Sequence, residues 1–281
     1  QMCIRDSCNA GFDILGTTEN KYPSLTGYVG EPTINIVIMI LIIVGGIGFL
    51  TWDDICTNRW HFKKYRMQSK VILVTSVILI IVPAIFFFLF DFTGLPPGEK
   101  ILASLFQSVT PRTAGFNTAD LTAMTESSKA IMILLMLVGG SPGSTAGGIK
   151  TTTLAVLILN AFSVCRKKND TEVYGRRLEC SAVKSASTIA VIYFLLFFIG
   201  GIIISTAEGM PLSACLYETA SAVGTVGLTL GVTPQLSVFS QFILIVLMYL
   251  GRVGGLTLIY AAISNKNQSG AKLPLEKITV G

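Results

Sequence analysis

The sequence predicts an all-α integral membrane protein made of repeated helix–pore-loop–helix units. Three observations favour this fold class: an apolar composition, apolar segments of membrane-spanning length, and short glycine-centred strings that recur along the chain. Hydrophobic residues make up 51% of the 281 residues and charged residues only 13%, whereas soluble domains carry about 25% charged residues. A chain of this composition belongs in a lipid bilayer.

Five apolar segments are long enough to span a membrane, because a hydrocarbon core of about 30 Å requires roughly 20 helical residues. They cover residues 34–52, 71–90, 131–162 with an interruption, 183–206 and 239–263. The glycines at 45–48 are interpreted as ordinary small-residue helix packing. Basic residues cluster after the first, third and fifth segments, so the positive-inside rule places these connections in the cytoplasm. The alternation of basic connections with apolar segments favours this topology over a nucleic-acid partner.

Three glycine-centred strings mark the repeat. Each is followed by a polar stretch and then by a long apolar segment, and their glycines lie about 110 residues apart. This interval is long enough to contain two membrane helices. The strings are Asn9-Ala10-Gly11-Phe12, Thr113-Ala114-Gly115-Phe116 and Thr225-Val226-Gly227-Leu228.

The third string repeats the Thr-Val-Gly core of a potassium-channel filter, in which stacked backbone carbonyls replace the hydration shell of the ion. Residues 99–109 and 211–222 precede two of the strings and are too short to span the membrane, so they predict re-entrant half-helices. The second contains Glu218, close to the filter that it supports. Non-helical backbone at membrane depth is tolerated where it lines a pore. We therefore expect the units to surround a single pore with a potassium-channel-like filter.

The interruption in the third apolar segment is a run of ten residues with five glycines and a proline. At about 1 kcal/mol per glycine and about 3 kcal/mol per proline, such a run cannot remain helical, so it predicts a loop inside the membrane rather than a simple kink. The run consists of Gly139, Gly140, Ser141, Pro142, Gly143, Ser144, Thr145, Ala146, Gly147 and Gly148. In the last segment, Arg252 lies among apolar residues. An ionisable side chain inside a span indicates a functional site, and a structural ion pair or a cap on free carbonyls is the alternative.

Neither catalytic residues nor a resident metal cluster can be assembled from this sequence. The six cysteines show no disulfide or metal-ligand spacing, so free thiols are expected. The single histidine, His61, lies in a basic connection, which leaves no zinc site and no Ser/His pair. We therefore predict that the protein is not an enzyme. Residues 1–7 do not match the segments that precede the other strings and are interpreted as a non-native leader.

Together these motifs resemble the Trk/Ktr/HKT superfamily of potassium transport proteins. The most specific pieces are the filter strings, the glycine-rich run with the adjoining Ile149-Lys150-Thr151, and Gly251-Arg252-Val253-Gly254. The likeness extends from Cys8 to Gly281 and is closer to the bacterial Ktr-type membrane subunit, as residues 227–234 and 276–281 indicate.

The resemblance implies four helix–pore-loop–helix repeats around one pore. Residues 8–69 would be the end of the second repeat, 70–182 the third repeat, 183–263 the fourth, and 264–281 a cytoplasmic C-terminal tail. The first repeat and the ascending helix of the second are absent from this sequence. The chain is therefore expected to be a fragment of a longer protein that lines three of four filter quadrants.

The resemblance also implies functional roles. The backbone carbonyls of the three strings would coordinate K⁺ as the transported ion, with Na⁺ as a second candidate. The glycine-rich run, Lys150 and Arg252 would obstruct the cavity below the filter until a cytosolic, nucleotide-binding regulatory ring moves them. The membrane subunit would be a homodimer and a multi-pass protein of the cell inner, or cytoplasmic, membrane.

Two alternatives remain open. One is a Trk-type rather than a Ktr-type subunit. The other is a secondary transporter of small solutes, in which broken helices form a binding site at the membrane midplane. The repeated combination of a half-helix and a short glycine string favours a potassium pathway, because carriers do not need this combination in every repeat.

Overall fold

The computed structural model describes residues 24–59, 61–168 and 170–254. The string at Asn9, Ala10 and Gly11, the leader at residues 1–7 and the tail at residues 264–281 lie outside the described residues. Within them, the chain forms nine α-helices and one short antiparallel hairpin, Glu172–Val173 with Arg176–Arg177. The helices are α1 (Pro32–Ile47), α2 (Phe49–Asn58), α3 (Met67–Phe90), α4 (Pro97–Val109), α5 (Glu126–Leu137), α6 (Thr151–Cys165), α7 (Cys180–Glu208), α8 (Leu212–Gly224) and α9 (Val238–Val253).

Two helices, α3 and α7, are long and apolar enough to span a membrane by themselves. They match the predicted spans at residues 71–90 and 183–206. Helix α3 contains Pro83 and ends at Phe90, and the Asp91 N–H caps it by donating a hydrogen bond to the carbonyl of Phe87. Two further apolar helices, α6 and α9, are shorter. Many large apolar side chains on these helices are exposed, as a lipid-facing surface requires.

The first predicted span, residues 34–52, is wrong as a single helix. Helix α1 ends at Ile47, and α2 leaves it at an angle of 100°. Gly48 forms the bend with a φ of 89°, a conformation that residues with a side chain rarely adopt. A Cβ on Gly48 would also lie 2.5 Å from the carbonyl oxygen of Pro142. Gly48 therefore does more than allow helix packing, because it breaks the helix where another segment contacts it.

The predicted interruption of the third segment is confirmed, since α5 ends at Leu137 and α6 begins at Thr151. The last predicted span, residues 239–263, is described only as far as Gly254. Gly254 adopts a φ of 89° and terminates α9 at Val253. Arg252 therefore lies in the last turn of α9, while residues 255–263 of the predicted span lie outside the described residues.

The two half-helices, α4 and α8, have 13 residues each and sit within the bundle. Helix α4 packs against α3 and α1, and α8 packs against α7, α9 and α5. Glycines allow the backbones to approach closely at these contacts, because they have no Cβ atom. A Cβ on Gly224 would lie 2.2 Å from the carbonyl oxygen of Met136, and one on Gly251 would lie 2.0 Å from that of Val223. The end of α8 is therefore fixed between α5 and α9.

Candidate ion pathway

The two described filter strings share positive φ values at the same two positions. Thr113 and Thr225 have φ values of 64° and 52°, and Gly115 and Gly227 have φ values of 77° and 94°. Positive φ is uncommon for a threonine, so its occurrence at the equivalent position of both strings marks a shared turn after each half-helix. The repeat predicted from the sequence is therefore present in the backbone.

The two strings lie beside each other. A Cβ on Gly227 would be 3.6 Å from the Cα atom of Gly115. Both glycines line an open cavity of about 690 Å³, together with the residues that follow each string. We call this cavity the outer cavity. The structure thus brings together two strings that are more than one hundred residues apart in sequence.

Side-chain and backbone hydrogen bonds fasten each string to its half-helix. The Ser221 hydroxyl accepts a hydrogen bond from the Gly227 N–H at 3.1 Å, and the Ser221 carbonyl accepts one from the Val226 N–H at 2.8 Å. In the other string, the Thr110 hydroxyl donates to the carbonyl oxygen of Phe116. The backbone of both strings is therefore held by residues of the preceding half-helix or its end.

Glu218 lies close to the last string, as the sequence predicted, and is bonded to the segment that follows it. Its carboxylate is 4% exposed and lies on α8. It accepts hydrogen bonds from the Thr229 hydroxyl at 2.6 Å, the Leu230 N–H at 3.0 Å and the Thr233 hydroxyl at 2.7 Å. A buried carboxylate is stable only when it has such partners, and here all three lie in the segment that follows the filter string.

The glycine-rich run forms a loop between α5 and α6, and the two ends of this loop lie side by side. Its ends are joined by backbone hydrogen bonds from the Gly139 N–H to the Ile149 carbonyl at 2.8 Å and from the Ile149 N–H to the Leu137 carbonyl at 3.0 Å. The Ser141 N–H donates to the carbonyl oxygen of Gly46 at 2.9 Å, just before the break in the first span. We call residues 139–148 the glycine loop.

The glycine loop also contacts the last filter string. A Cβ on Gly147 would lie 2.2 Å from the Thr225 hydroxyl oxygen, and one on Gly148 would lie 3.4 Å from the Cα atom of Gly224. The Thr225 hydroxyl is buried and has no hydrogen-bond partner in the described part of the chain. The loop therefore covers the end of the string at which α8 stops.

Two cations bind carbonyl oxygens of the glycine loop. The Lys150 ammonium donates to the carbonyl of Ala146 at 2.6 Å, and the Arg252 guanidinium donates to the carbonyl of Thr145. Within the described residues, the structure therefore joins the predicted loop, both predicted cations and the third string at one place. The first string, at Asn9-Ala10-Gly11, lies outside the described residues.

One residue near the filter was not selected from the sequence. Arg112 precedes Thr113 and is 2% exposed. Its Nη2 atom donates to the Ser76 hydroxyl of α3 at 3.0 Å, and its Nε and Nη1 atoms have no partner among the described residues. The signal in the sequence that could have identified Arg112 is a charged residue between a half-helix and a filter string.

The described residues contain no group of three or more His, Cys, Asp or Glu side chains that could hold a metal ion. Cys56, Cys165, Cys180 and Cys215 are free thiols, as predicted, while the other two cysteines lie outside the described residues. The polar groups of the site are instead backbone carbonyls, hydroxyls and the two cations.

Comparison with known proteins agrees with this geometry. The model of the TrkH family, described as a cation transport protein, matches residues 7–270. The Ktr system potassium uptake protein B of Bacillus subtilis is 35% identical over 281 aligned residues, which cover 97% of this chain and 61% of that protein. The potassium/sodium uptake protein NtpJ of Enterococcus hirae is 35% identical over 289 aligned residues, with 99% and 62% covered. The chain thus spans about three fifths of the length of these relatives.

A solved structure supports the fold. The potassium transporter TrkH from Vibrio parahaemolyticus matches with a TM-score of 0.73 at 20% sequence identity, over 92% of this chain and 56% of that one. The names of the relatives describe cation transport and no enzyme. Because the family model covers most of the sequence and its fold agrees with the structure, this chain belongs to the TrkH family of multi-pass cation transport proteins.

Proposed function

We propose that this chain forms part of a pathway for potassium uptake across the cytoplasmic membrane. The observation that carries the proposal is the pair of adjacent filter strings, each with a threonine and a glycine at positive φ after a half-helix. Positive φ at these positions turns the backbone so that successive carbonyls can face one axis. The names of the relatives from Bacillus subtilis and Enterococcus hirae, which refer to potassium and potassium/sodium uptake, support K⁺ as the cargo and Na⁺ as a second candidate ion.

The proposed mechanism replaces the hydration shell of K⁺ by backbone carbonyls from Thr113, Ala114 and Gly115, from Thr225, Val226 and Gly227, and from the string at Asn9, Ala10 and Gly11. Movement of one charge down the membrane potential releases about 2.3 kcal/mol per 100 mV. The glycine loop, held by Lys150 and Arg252, closes the pathway below the filter. Its contact with the Thr225 hydroxyl supports this role.

We further propose that the complete transporter contains four repeats, of which residues 8–69, 70–182 and 183–263 belong to the second, third and fourth. The remainder would come from sequence outside this chain. A homodimer of the membrane subunit and a cytosolic, nucleotide-binding ring would complete the system. The 61% coverage of the Bacillus subtilis relative supports only the share of the repeats that is assigned to this chain.

A glycine substitution tests the filter assignment. In the complete transporter, Gly227→Ser is expected to reduce selection of K⁺ over Na⁺, because a side chain at a φ of 94° disturbs the carbonyls of the turn. The measurement is growth of a potassium-uptake-deficient host at low K⁺, together with K⁺ and Na⁺ flux in vesicles.

Gly209→Ser is the matched control. Gly209 also has a positive φ, of 63°, and a Cβ there would meet no atom within 4 Å. It ends α7, away from the strings. If Gly227→Ser and Gly209→Ser transport with the same K⁺/Na⁺ selectivity as the unaltered protein, Gly227 is not part of the filter.

A further inference from the structure

The outer cavity carries a charge that the proposed mechanism does not use. Of the described residues that line it, two have ionisable side chains, Asp120 and Glu218, and both are carboxylic acids. No described lysine or arginine lines this cavity. A cleft with charge of one sign raises the local concentration of oppositely charged solutes.

The two acids differ in their surroundings. Glu218 is buried, and its three hydrogen bonds fasten the segment after the last filter string. Asp120 is exposed on the segment that follows the other string. Its Oδ1 atom accepts hydrogen bonds from the Thr122 N–H at 2.9 Å and the Thr122 hydroxyl at 2.7 Å. Asp120 is therefore held in position while it remains open to solvent.

Asp120 is also ionised at neutral pH. The hydrogen bonds from the Thr122 hydroxyl and N–H lower the pKa of its carboxyl group, and the charge of Lys129 lowers this pKa further. Lys129 itself forms an ion pair with Glu126 at 3.0 Å, so part of its charge is already balanced. The carboxylate of Asp120 therefore carries its negative charge at neutral pH.

Asp120 lies where its charge can act on ions that approach the filter strings. It lines the outer cavity, and it also lines a neighbouring cavity of about 720 Å³ that includes Asp91 and Thr118. Asp91 is buried and bonded to the Thr125 N–H and the Ser128 hydroxyl. Asp120 is therefore an exposed acid at the junction of two cavities, one of which leads to Gly115 and Gly227.

We propose that Asp120 attracts monovalent cations to the outer mouth of the filter and so sets the external K⁺ concentration needed for uptake. This inference rests on the proposed function, because it assigns the outer cavity to the entrance of the ion pathway. Asp120 does not select between ions. It acts on the concentration of cations in front of the filter and leaves the maximal rate to the filter and gate.

The test compares Asp120→Asn with the unaltered protein in the complete transporter. At about 10 mM ionic strength, where charges act over about 30 Å, the KM for external K⁺ should rise about two- to fivefold, with an unchanged maximal rate and K⁺/Na⁺ selectivity. In about 0.15 M of an impermeant salt, where the range falls to about 8 Å, the difference should largely disappear. Asp120→Glu should restore the low KM at low salt.

Glu31→Gln is the matched control, because Glu31 is an exposed acid before α1 that lines neither cavity. It should leave the KM unchanged at both salt concentrations. An unchanged KM in Asp120→Asn, or a rise that is equal at both salt concentrations, overturns the proposal. If Gly227→Ser still alters selectivity in that case, the filter assignment stands and only the role of Asp120 is rejected.

Discussion

Arg252 reaches the glycine loop from the last turn of α9, where its guanidinium donates a hydrogen bond to the carbonyl of Thr145. The side chain is exposed in the described structure, and Lys150 binds the next carbonyl of the same loop. Two positive charges thus lie beside the loop that covers the inner end of a filter string. Both side chains hold the loop by hydrogen bonds, and under the proposed function their charges would also oppose the passage of K⁺.

Replacement of Arg252 separates these two effects. Arg252→Ala is expected to raise the maximal uptake rate about fivefold, because one charge close to the ion is worth about 1 kcal/mol in a water-filled cavity. Arg252→Lys should keep most of the barrier, since a point charge is sufficient for repulsion even when the planar guanidinium is lost. The measurement is K⁺ flux per folded transporter in proteoliposomes.

If both variants reduce the amount of folded protein in the membrane and neither changes flux per molecule, Arg252 has a purely structural role. The gate would then consist of the glycine loop alone.

At the level of elements, the glycine loop contacts three other parts of the molecule. It accepts hydrogen bonds from Lys150 and Arg252, it donates one to Gly46 at the end of α1, and it packs against Thr225 after α8. The broken first span and the interrupted third span therefore meet each other. A shift of the loop would change contacts at both places together.

Gly147→Ala tests whether this packing closes the pathway. A Cβ at this position would lie 2.2 Å from the Thr225 hydroxyl oxygen and 3.2 Å from the Gly224 carbonyl oxygen, so the loop must move away. Overpacking costs about 1–3 kcal/mol. We therefore expect K⁺ flux in the absence of the cytosolic partner to rise about fivefold or more.

Gly46→Ala provides the comparison, because a Cβ there meets no atom within 4 Å. It should leave flux dependent on the partner. Deletion of residues 139–148 should act in the same direction as Gly147→Ala. If flux through both altered loops still requires the partner, the interruption between α5 and α6 is structural and does not act as a gate.

At the level of the whole molecule, the basic connections predict which ends of the helices face the cytoplasm. Cys165 ends α6 on the basic side and is exposed. Ser127 lies in the first turn of α5, at the opposite end of the interrupted span, and is also exposed. These two positions allow the orientation to be measured.

In a variant of the complete transporter that retains Cys165 as its single cysteine, a membrane-impermeant maleimide should label the protein only after the cells are permeabilised. A second variant, with Ser127→Cys as the single cysteine, should be labelled in intact cells. The reverse pattern would invert the topology inferred from the positive-inside rule.

Much of the architecture follows from local sequence. The apolar composition of residues 71–90 and 183–206 predicted α3 and α7, since transfer into the bilayer depends on the residues of one segment. The glycine loop and both half-helices were predicted from helix propensity and length. The bend at Gly48 and the break after Val253 were not predicted, because a glycine inside an apolar segment is compatible with both a packed helix and a broken one.

The sequence by itself determined that this chain is a helical membrane protein with repeated pore loops, because hydrophobicity, turn residues and repeat spacing act within short segments. Only the tertiary structure decided that Gly227 lies beside Gly115, that the loop covers Thr225, and that Arg252 binds the Thr145 carbonyl. These contacts join segments distant in sequence. They depend on how closely two backbones can approach each other in a helix bundle, where packing and hydrogen bonds replace the hydrophobic effect as the driving force. The distance between two backbones cannot be predicted from a local sequence pattern.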